Sequence, residues 1–225
     1  MKVLVTGSSG GIGSAVAELF LETGHTVIGL DSKASVLGKR AGFTHYTVDI
    51  ADAKTLPEIE GVEVLVNCAG VQNQSKKGHD DVDVNLRGTV NVTEKYAFQS
   101  AIKSVLTIAS ASAHTGAEFP LYSASKGALL AYTRNAAIRL AKYGATCNSL
   151  SPGGVMTELN RPVMEDPGMW KSIMDVTPLK KWATAQEIAQ WCYFMTVTNR
   201  SCTGEDILID NGETHLNATF VWPGV

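Results

Sequence analysis

Lys2-Val3-Leu4-Val5-Thr6-Gly7-Ser8-Ser9-Gly10-Gly11-Ile12-Gly13 is the stretch whose reading decides the fold of this chain. Its first five residues form a short run of β type. A glycine-rich turn follows at once, and Ala15, Val16, Leu19 and Phe20 then recur at helical spacing up to Gly24. Thr26 to Leu30 reads as a second strand with Asp31 at its tip, which closes a βαβ unit. Glycines let the backbone turn tightly and approach a pyrophosphate closely. The helix beyond offers free N–H groups and the positive end of its dipole. Gly7, Ser9, Gly11, Ile12 and Gly13 are therefore candidate dinucleotide-binding residues. An acid at the end of the second strand suits a ribose hydroxyl pair and repels a 2′-phosphate, so Asp31 favours NAD over NADP. Ser9 is not basic, which removes one anchor for that phosphate, whereas Lys33 leaves some NADP use open. The turn reads both as Thr6-Gly7-x-x-x-Gly11-x-Gly13 and as a Gly7, Gly10, Gly13 pattern, and by itself it does not choose between them.

The rhythm continues along the chain. Thr44 to Asp49, Val62 to Asn67, Val105 to Ala109, Thr146 to Leu150 and Asp206 to Ile209 read as further strands. The interval from Asp31 to Thr44 is too short for a full crossover helix, so a clipped connection is expected there. Helical patterns cover Asp80 to Ala101, Leu121 to Tyr143 and Ala185 to Met195. Within the long helix Ala128, Leu129, Tyr132, Ala136 and Leu140 form an apolar stripe, and Ala124, Ala128 and Ala131 are small enough for close packing. Residues 71–79 and Ser110 to Pro120 read as loops. Residues 157–176 mix Pro162, Pro167 and Gly168 with Met164, Met169, Trp170, Ile173 and Met174, and read as a mobile cover. The expectation is an α/β chain: a doubly wound, mostly parallel seven-stranded sheet of Rossmann type with helices on both faces, forming one domain over 1–225.

Composition agrees. At 225 residues and 44% hydrophobic, the chain buries one sizeable core. A net charge of −3 with no basic stripe speaks against a nucleic-acid surface. No apolar run is long enough to span a membrane, and the start on a strand leaves no room for a signal peptide, which points to the cytoplasm. Cys68, Cys147, Cys192 and Cys202 are scattered in apolar surroundings and read as buried free thiols, and neither they nor the five His show metal-ligand spacing.

Tyr122-Ser123-Ala124-Ser125-Lys126 places a phenol and an ammonium on one face of a helix, one turn apart. A free Tyr, with a pKa of about 10, is a poor proton acceptor at neutral pH. A fixed cation nearby favours the phenolate, and a Tyr so tuned exchanges protons with an alcohol or ketone oxygen.

Taken in order, these elements resemble the compact, single-domain branch of the short-chain dehydrogenase/reductase family over nearly the whole chain. Thr6-Gly7-x-x-x-Gly11-x-Gly13 is similar to its cofactor turn. Asn67-Cys68-Ala69-Gly70 is similar to its N-N-A-G turn, with Cys68 replacing the second Asn. Tyr122-x-x-x-Lys126 is similar to its active-site pair, and Asn85, in Asp83-Val84-Asn85, falls where the family places an active-site Asn. Asn148-Ser149-Leu150-Ser151-Pro152-Gly153-Gly154-Val155-Met156-Thr157 resembles its turn beside the nicotinamide, and Pro178-Leu179 followed by Ala185-Gln186-Glu187-Ile188-Ala189 resembles its later helix.

The resemblance implies hydride transfer between NAD(H) and a secondary alcohol or ketone. Tyr122 is then the acid or base, and Lys126 tunes it and holds the nicotinamide ribose. Ser110 hydrogen-bonds the substrate oxygen, and Asn85 supports a water that links Lys126 to solvent. The family puts its Ser directly after the fifth strand, which favours Ser110, with Ser112 in reserve. Asp49 and Ile50 would border the adenine, Asn67, Ala69, Gly70, Pro152 and Gly153 would line the cofactor, and Val155 and Thr157 would meet the carboxamide. Ser112, Phe119, Met156 and residues 157–176 would wall an apolar pocket that suits a hydrophobic ketone, a steroid or an acyl group without selecting one. A homotetramer or homodimer is implied, with the apolar Phe220-Val221-Trp222-Pro223-Gly224-Val225 docking on its own core or on a partner subunit. Two other classes fit parts of the pattern. A cofactor-sensing regulator would keep the glycine turn without needing Tyr, Lys, Ser and Asn together, and a sugar-nucleotide epimerase or dehydratase would need a longer chain.

Overall fold

A computed structural model describes residues 1–72, 80–117 and 119–216. Most of the 71–79 loop and all of the apolar stretch from Phe220 to Val225 lie outside the described residues.

The chain opens with β1 (Lys2–Thr6), α1 (Gly11–Glu22), β2 (Thr26–Asp31), β3 (Phe43–Thr47) and β4 (Val64–Asn67). A π-helical stretch (Val82–Gly88) then runs into α2 (Thr89–Tyr96), followed by β5 (Ser104–Ile108), α3 (Ser112–Thr115), α4 (Pro120–Leu140) and β6 (Thr146–Pro152). Last come β7 (Val155–Met156), α5 (Arg161–Met164), α6 (Pro167–Val176), β8 (Ala183–Thr184), α7 (Ala185–Tyr193) and β9 (Asp206–Ile209). Seven strands form one sheet in the order β3-β2-β1-β4-β5-β6-β9, and every pairing in it is parallel.

Alternation along each strand divides the core. Val3, Val5, Val27, Val64, Val66, Leu106, Ile108 and Leu150 point to one face, under Ala15, Val16 and Phe20 of α1 and Ile188, Ala189 and Cys192 of α7. Leu4, Leu30, Leu65, Val105 and Cys147 point to the other, under Val92 and Tyr96 of α2 and Ala136, Ala137 and Leu140 of α4. Fully buried strands read as continuous apolar runs, as a parallel sheet covered on both faces requires.

Several expectations are corrected. The helix expected over Asp80 to Ala101 ends at Tyr96, and its first part is π-helical. Gly88 lies there because a Cβ would stand 2.7 Å from Ile50 Cγ1. The loop expected from Ser110 holds one helical turn, α3, stopped by Gly116 in the left-handed region at φ 66°. α4 ends at Leu140, and a tighter turn over Ala141–Tyr143 precedes Gly144 at φ 69°. Its buried face carries Leu129, Ala136 and Leu140, while Ala124 and Ala131 lie on its exposed face in the single chain. β3 stops at Thr47, before Asp49, and β6 runs on to Pro152, paired with Ile209. β7 and β8 pair in a two-stranded ribbon too short for any alternation to announce it. The connection from β2 to β3 contains no helix, as its shortness leads one to expect. All four cysteines are free, Cys147 and Cys192 buried, Cys68 and Cys202 half-buried.

Candidate active site

In a doubly wound sheet the crevice opens where the strand order reverses, here between the C-terminal ends of β1 and β4. The glycine turn leaves β1 at that point. Gly7 has φ 67°, and a Cβ on it would lie 2.8 Å from Ala69 Cα. A Cβ on Gly13 would lie 2.1 Å from the Gly7 carbonyl oxygen. The exit turn of β4 is tied to the same place, since Thr6 Oγ1 accepts from the Cys68 and Ala69 N–H groups, each at 3.1 Å.

The first turn of α1 carries no acidic side chain, and its N-cap Gly10 makes no side-chain cap hydrogen bond, so its N–H end is open to an anion. Among the described residues, Ser9 Oγ and Asn67 Oδ1 are buried polar atoms without a protein partner. Bare backbone, an open helix N-terminus and unspent polar atoms fit a dinucleotide.

The Asp31 carboxylate stands at the tip of β2, accepting from Ser9 N–H at 2.9 Å and Lys33 N–H at 2.8 Å. The Ser9 bond holds the acid to the glycine turn, and the Lys33 bond is local to the exit of β2. Asp49 Oδ1 accepts from Ala51 N–H at 2.9 Å. Ile50 is 5% exposed and packs with Leu4 and Leu30, so its side chain belongs to the core. Asn67 is buried too, its Nδ2 donating to Thr93 Oγ1 at 3.1 Å and Thr107 Oγ1 at 3.4 Å. It braces β4 against α2 and β5.

The second half of the site stands at the end of β5. Lys126 and Tyr122 share one face of α4, and Lys126 Nζ lies 5.7 Å from the centre of the Tyr122 ring. Lys126 is 4% exposed and donates to the Ile108 carbonyl at 2.9 Å. Burial lowers its pKa to about 8, against the opposing pull of Cys68 and Asp81. Burial pushes the Cys68 thiol up to about 12, so this replacement for an Asn is a neutral apolar filler.

Asn85 is fully buried. Its Oδ1 accepts from Val71 N–H at 2.7 Å, while its Nδ2 donates to the Val71 carbonyl and to Ser125 Oγ, each at 3.0 Å. Ser125 Oγ in turn donates to the Tyr122 carbonyl at 2.7 Å. Asn85 therefore links the exit of β4 to the turn of α4 that bears Tyr122. Gly70 makes room for this meeting, because a Cβ there would be 3.2 Å from Asn85 Oδ1 and 3.3 Å from Lys126 Nζ. Ser110 and Ser112 are in contact: Ser112 Oγ donates to Ser110 Oγ at 3.0 Å, and so does Ser112 N–H at 3.2 Å.

The turn after β6 completes the enclosure. Pro152 and Val155 are buried, and a Cβ on Gly153 would lie 2.8 Å from Asp210 Cβ. Thr157 reaches back to the glycine turn, its Cγ2 only 2.6 Å from where a Gly11 Cβ would be. Sequence reading missed Trp182: its ring fills the place of a Gly154 Cβ and meets Trp170 of α6 edge-on, with centroids 5.1 Å apart. No local pattern links these residues. Residues 157–176 hold α5 and α6, neither with a buried residue, and Met156 and Met169 are 49% and 55% exposed.

Comparison with known proteins agrees with this geometry. Residues 7–214 match a family model described as enoyl-(acyl carrier protein) reductase. The chain is 31% identical to 2,3-dihydro-2,3-dihydroxybenzoate dehydrogenase of Escherichia coli strain K12, over 95% of this chain and 96% of that protein. A solved short-chain dehydrogenase/reductase of Brucella melitensis, a glucose/ribitol dehydrogenase, is 26% identical with a TM-score of 0.82, covering 94% of this chain and 96% of that one. A structure of ElxO with NADP bound is 26% identical with a TM-score of 0.81, covering 94% of this chain and 98% of that one. Among the described residues no helix is long and apolar enough to cross a membrane. By sequence and by fold, then, this chain belongs to the short-chain dehydrogenase/reductase family, oxidoreductases that act on CH–OH groups with a nicotinamide cofactor.

Proposed function

We propose that this protein is an NAD(H)-dependent dehydrogenase that interconverts a secondary alcohol and a ketone, with Tyr122 as the acid or base. The observation that carries the proposal is the buried Lys126 ammonium beside the Tyr122 ring, held there by the Ile108 carbonyl. Gly7, Gly11, Gly13 and Asp31 would hold the nucleotide, with Val155 and Thr157 at its nicotinamide end. Bound there, the nicotinamide supplies the hydride acceptor or donor.

In the oxidative direction Tyr122 Oη takes the hydroxyl proton of the alcohol. The Lys126 cation favours the phenolate that can do so. Ser110 Oγ already accepts two hydrogens from Ser112, so its own hydrogen is free to point at the substrate oxygen. The bonds that engage the Asn85 side chain make it a positioning residue for Tyr122.

NAD is proposed because Asp31 would face a 2′-phosphate with a negative charge. Related folds occur with NADP, as in ElxO, and with NADH, as in 4-hydroxyisoleucine dehydrogenase, so the reading of NAD rests on the acid at position 31. In this reading 1–225 acts as one cofactor-binding domain with 157–176 over the substrate, assembled as a homotetramer or homodimer, which sizing chromatography reads directly. The test follows absorbance at 340 nm with NAD and a panel of secondary alcohols, including 2,3-dihydro-2,3-dihydroxybenzoate, named for the Escherichia coli relative. Turnover by the wild type, lost in Tyr122→Phe by about a thousandfold with NAD binding kept, supports the proposal. Near-normal turnover in that variant overturns it.

A further inference from the structure

On the α4 side of the sheet a charged cluster lies outside the reaction described above. Asp206 is the first residue of β9, and its side chain is only 6% exposed. Its Oδ1 accepts from Ser149 Oγ at 2.5 Å and Ser151 Oγ at 3.0 Å, both on β6. Its Oδ2 lies 2.7 Å from His114 Nε2. A carboxylate only accepts hydrogen bonds, so Nε2 carries the hydrogen in this contact. The His114 ring also meets His215 edge-on, with centroids 6.0 Å apart.

His114 belongs to α3, a single turn. So short a helix has little intrinsic stability, and its position must come from what it is tied to. One tie is Ala111 N–H to the Pro152 carbonyl, at 2.8 Å. Another is His114 to Asp206, charge-assisted and therefore the stronger of these two bonds, while α3 also packs against α4. At the front of the same turn stands Ser112, which gives both its hydroxyl and its N–H to Ser110 Oγ. The path from Asp206 through His114 and α3 to Ser110 is thus continuous. It also determines which way the Ser110 hydrogen points, since two donors already occupy that oxygen.

We propose that His114 and Asp206 are positioning residues of the active site. They hold α3 on β9 so that Ser112 keeps the Ser110 hydrogen aimed at the substrate oxygen. This rests on the reading of Ser110 given above. His114→Phe keeps an aromatic ring but loses the donor, while His114→Gln keeps an N–H within reach.

With NAD and the panel alcohol turned over fastest, His114→Phe should lower kcat about tenfold or more, because misplacing a group that touches the reacting oxygen is costly. The KM for NAD should stay within about twofold, since the nucleotide contacts are elsewhere. His114→Gln should recover most of the rate, which a space-filling role for the ring would not allow. In a Ser110→Ala background His114→Phe should cost nothing further. A crystal structure of His114→Phe should lack the Ser112–Ser110 contact, a readout that needs no substrate. Wild-type kcat in His114→Phe, a full additional loss in the Ser110→Ala background, or an unmoved Ser112–Ser110 contact would each overturn the brace. Normal turnover by Ser110→Ala alone would instead overturn the role given to Ser110, and the crystal structure would still judge the brace.

Discussion

Lys126 Nζ gives one hydrogen to the carbonyl of Ile108, 2.9 Å away at the end of β5, and so a cation from α4 is fixed at the mouth of the sheet. Its lowered pKa of about 8 has two consequences. If the cation supports the Tyr122 phenolate, kcat/KM for an alcohol should fall as pH rises through about 8, since this ratio reports the free enzyme. Lys126→Arg stays charged and should lose that limb. The other consequence is for stability. Between about 8 and the ordinary 10.5, the unfolded chain holds this proton more tightly than the folded one, so Lys126 makes stability rise with pH across that window. Denaturant titrations of wild type and Lys126→Met at several pH values read the slope directly; an unchanged slope counts against the burial described.

Asp31 should set nucleotide choice. Like charges brought face to face cost on the order of several kcal/mol, so kcat/KM should favour NAD over NADP by about a hundredfold. Asp31→Ser should raise the NADP value at least about tenfold, a change of about 1.4 kcal/mol. A wild-type preference for NADP would remove the role given to this acid.

Gly13→Ala should damage folding and nucleotide binding together. The new methyl would collide with the Gly7 carbonyl, which is backbone and cannot rotate away. Overpacking typically costs about 1–3 kcal/mol, so the melting temperature should drop by several degrees. NADH fluorescence titration should show weakened binding, and an unperturbed titration would contradict the close approach.

Asn85→Ala should strand the Val71 N–H and carbonyl that the amide now satisfies. A buried polar group left unpaired costs about 1–3 kcal/mol, which the denaturant midpoint reports. Turnover should fall along with it, because the Ser125 link to the turn bearing Tyr122 is lost. Stability lost without any change in kcat would confine Asn85 to a structural role.

What the sequence discloses follows the range of the interaction. The strand, glycine turn and helix over residues 2–22 are local, and so is the Tyr122–Lys126 pair, because both depend on spacing within one element. Asp206–Ile209 shows equally well, as an apolar run with clear ends. The π-helical stretch at Val82–Gly88 is not visible, since a wider turn keeps the same residues and changes only their hydrogen bonds. The Ser110–Ser112 pairing is also hidden: sequence poses the two as rivals, while α3 folds them onto each other. Contacts such as Trp182 on Gly154 or His114 with Asp206 join distant segments and leave no periodic trace.

Gly11 and Thr157 share one small volume, which binds their fates under mutation. With Thr at 157, any side chain at 11 would stand 2.6 Å from its methyl carbon. A larger residue at the first position is tolerable only after the second has shrunk or moved, so the two sites are epistatic. The order of change therefore matters: a library that varies position 11 while Thr157 stays fixed samples mostly dead sequences, whereas position 157 can shrink while Gly11 stays.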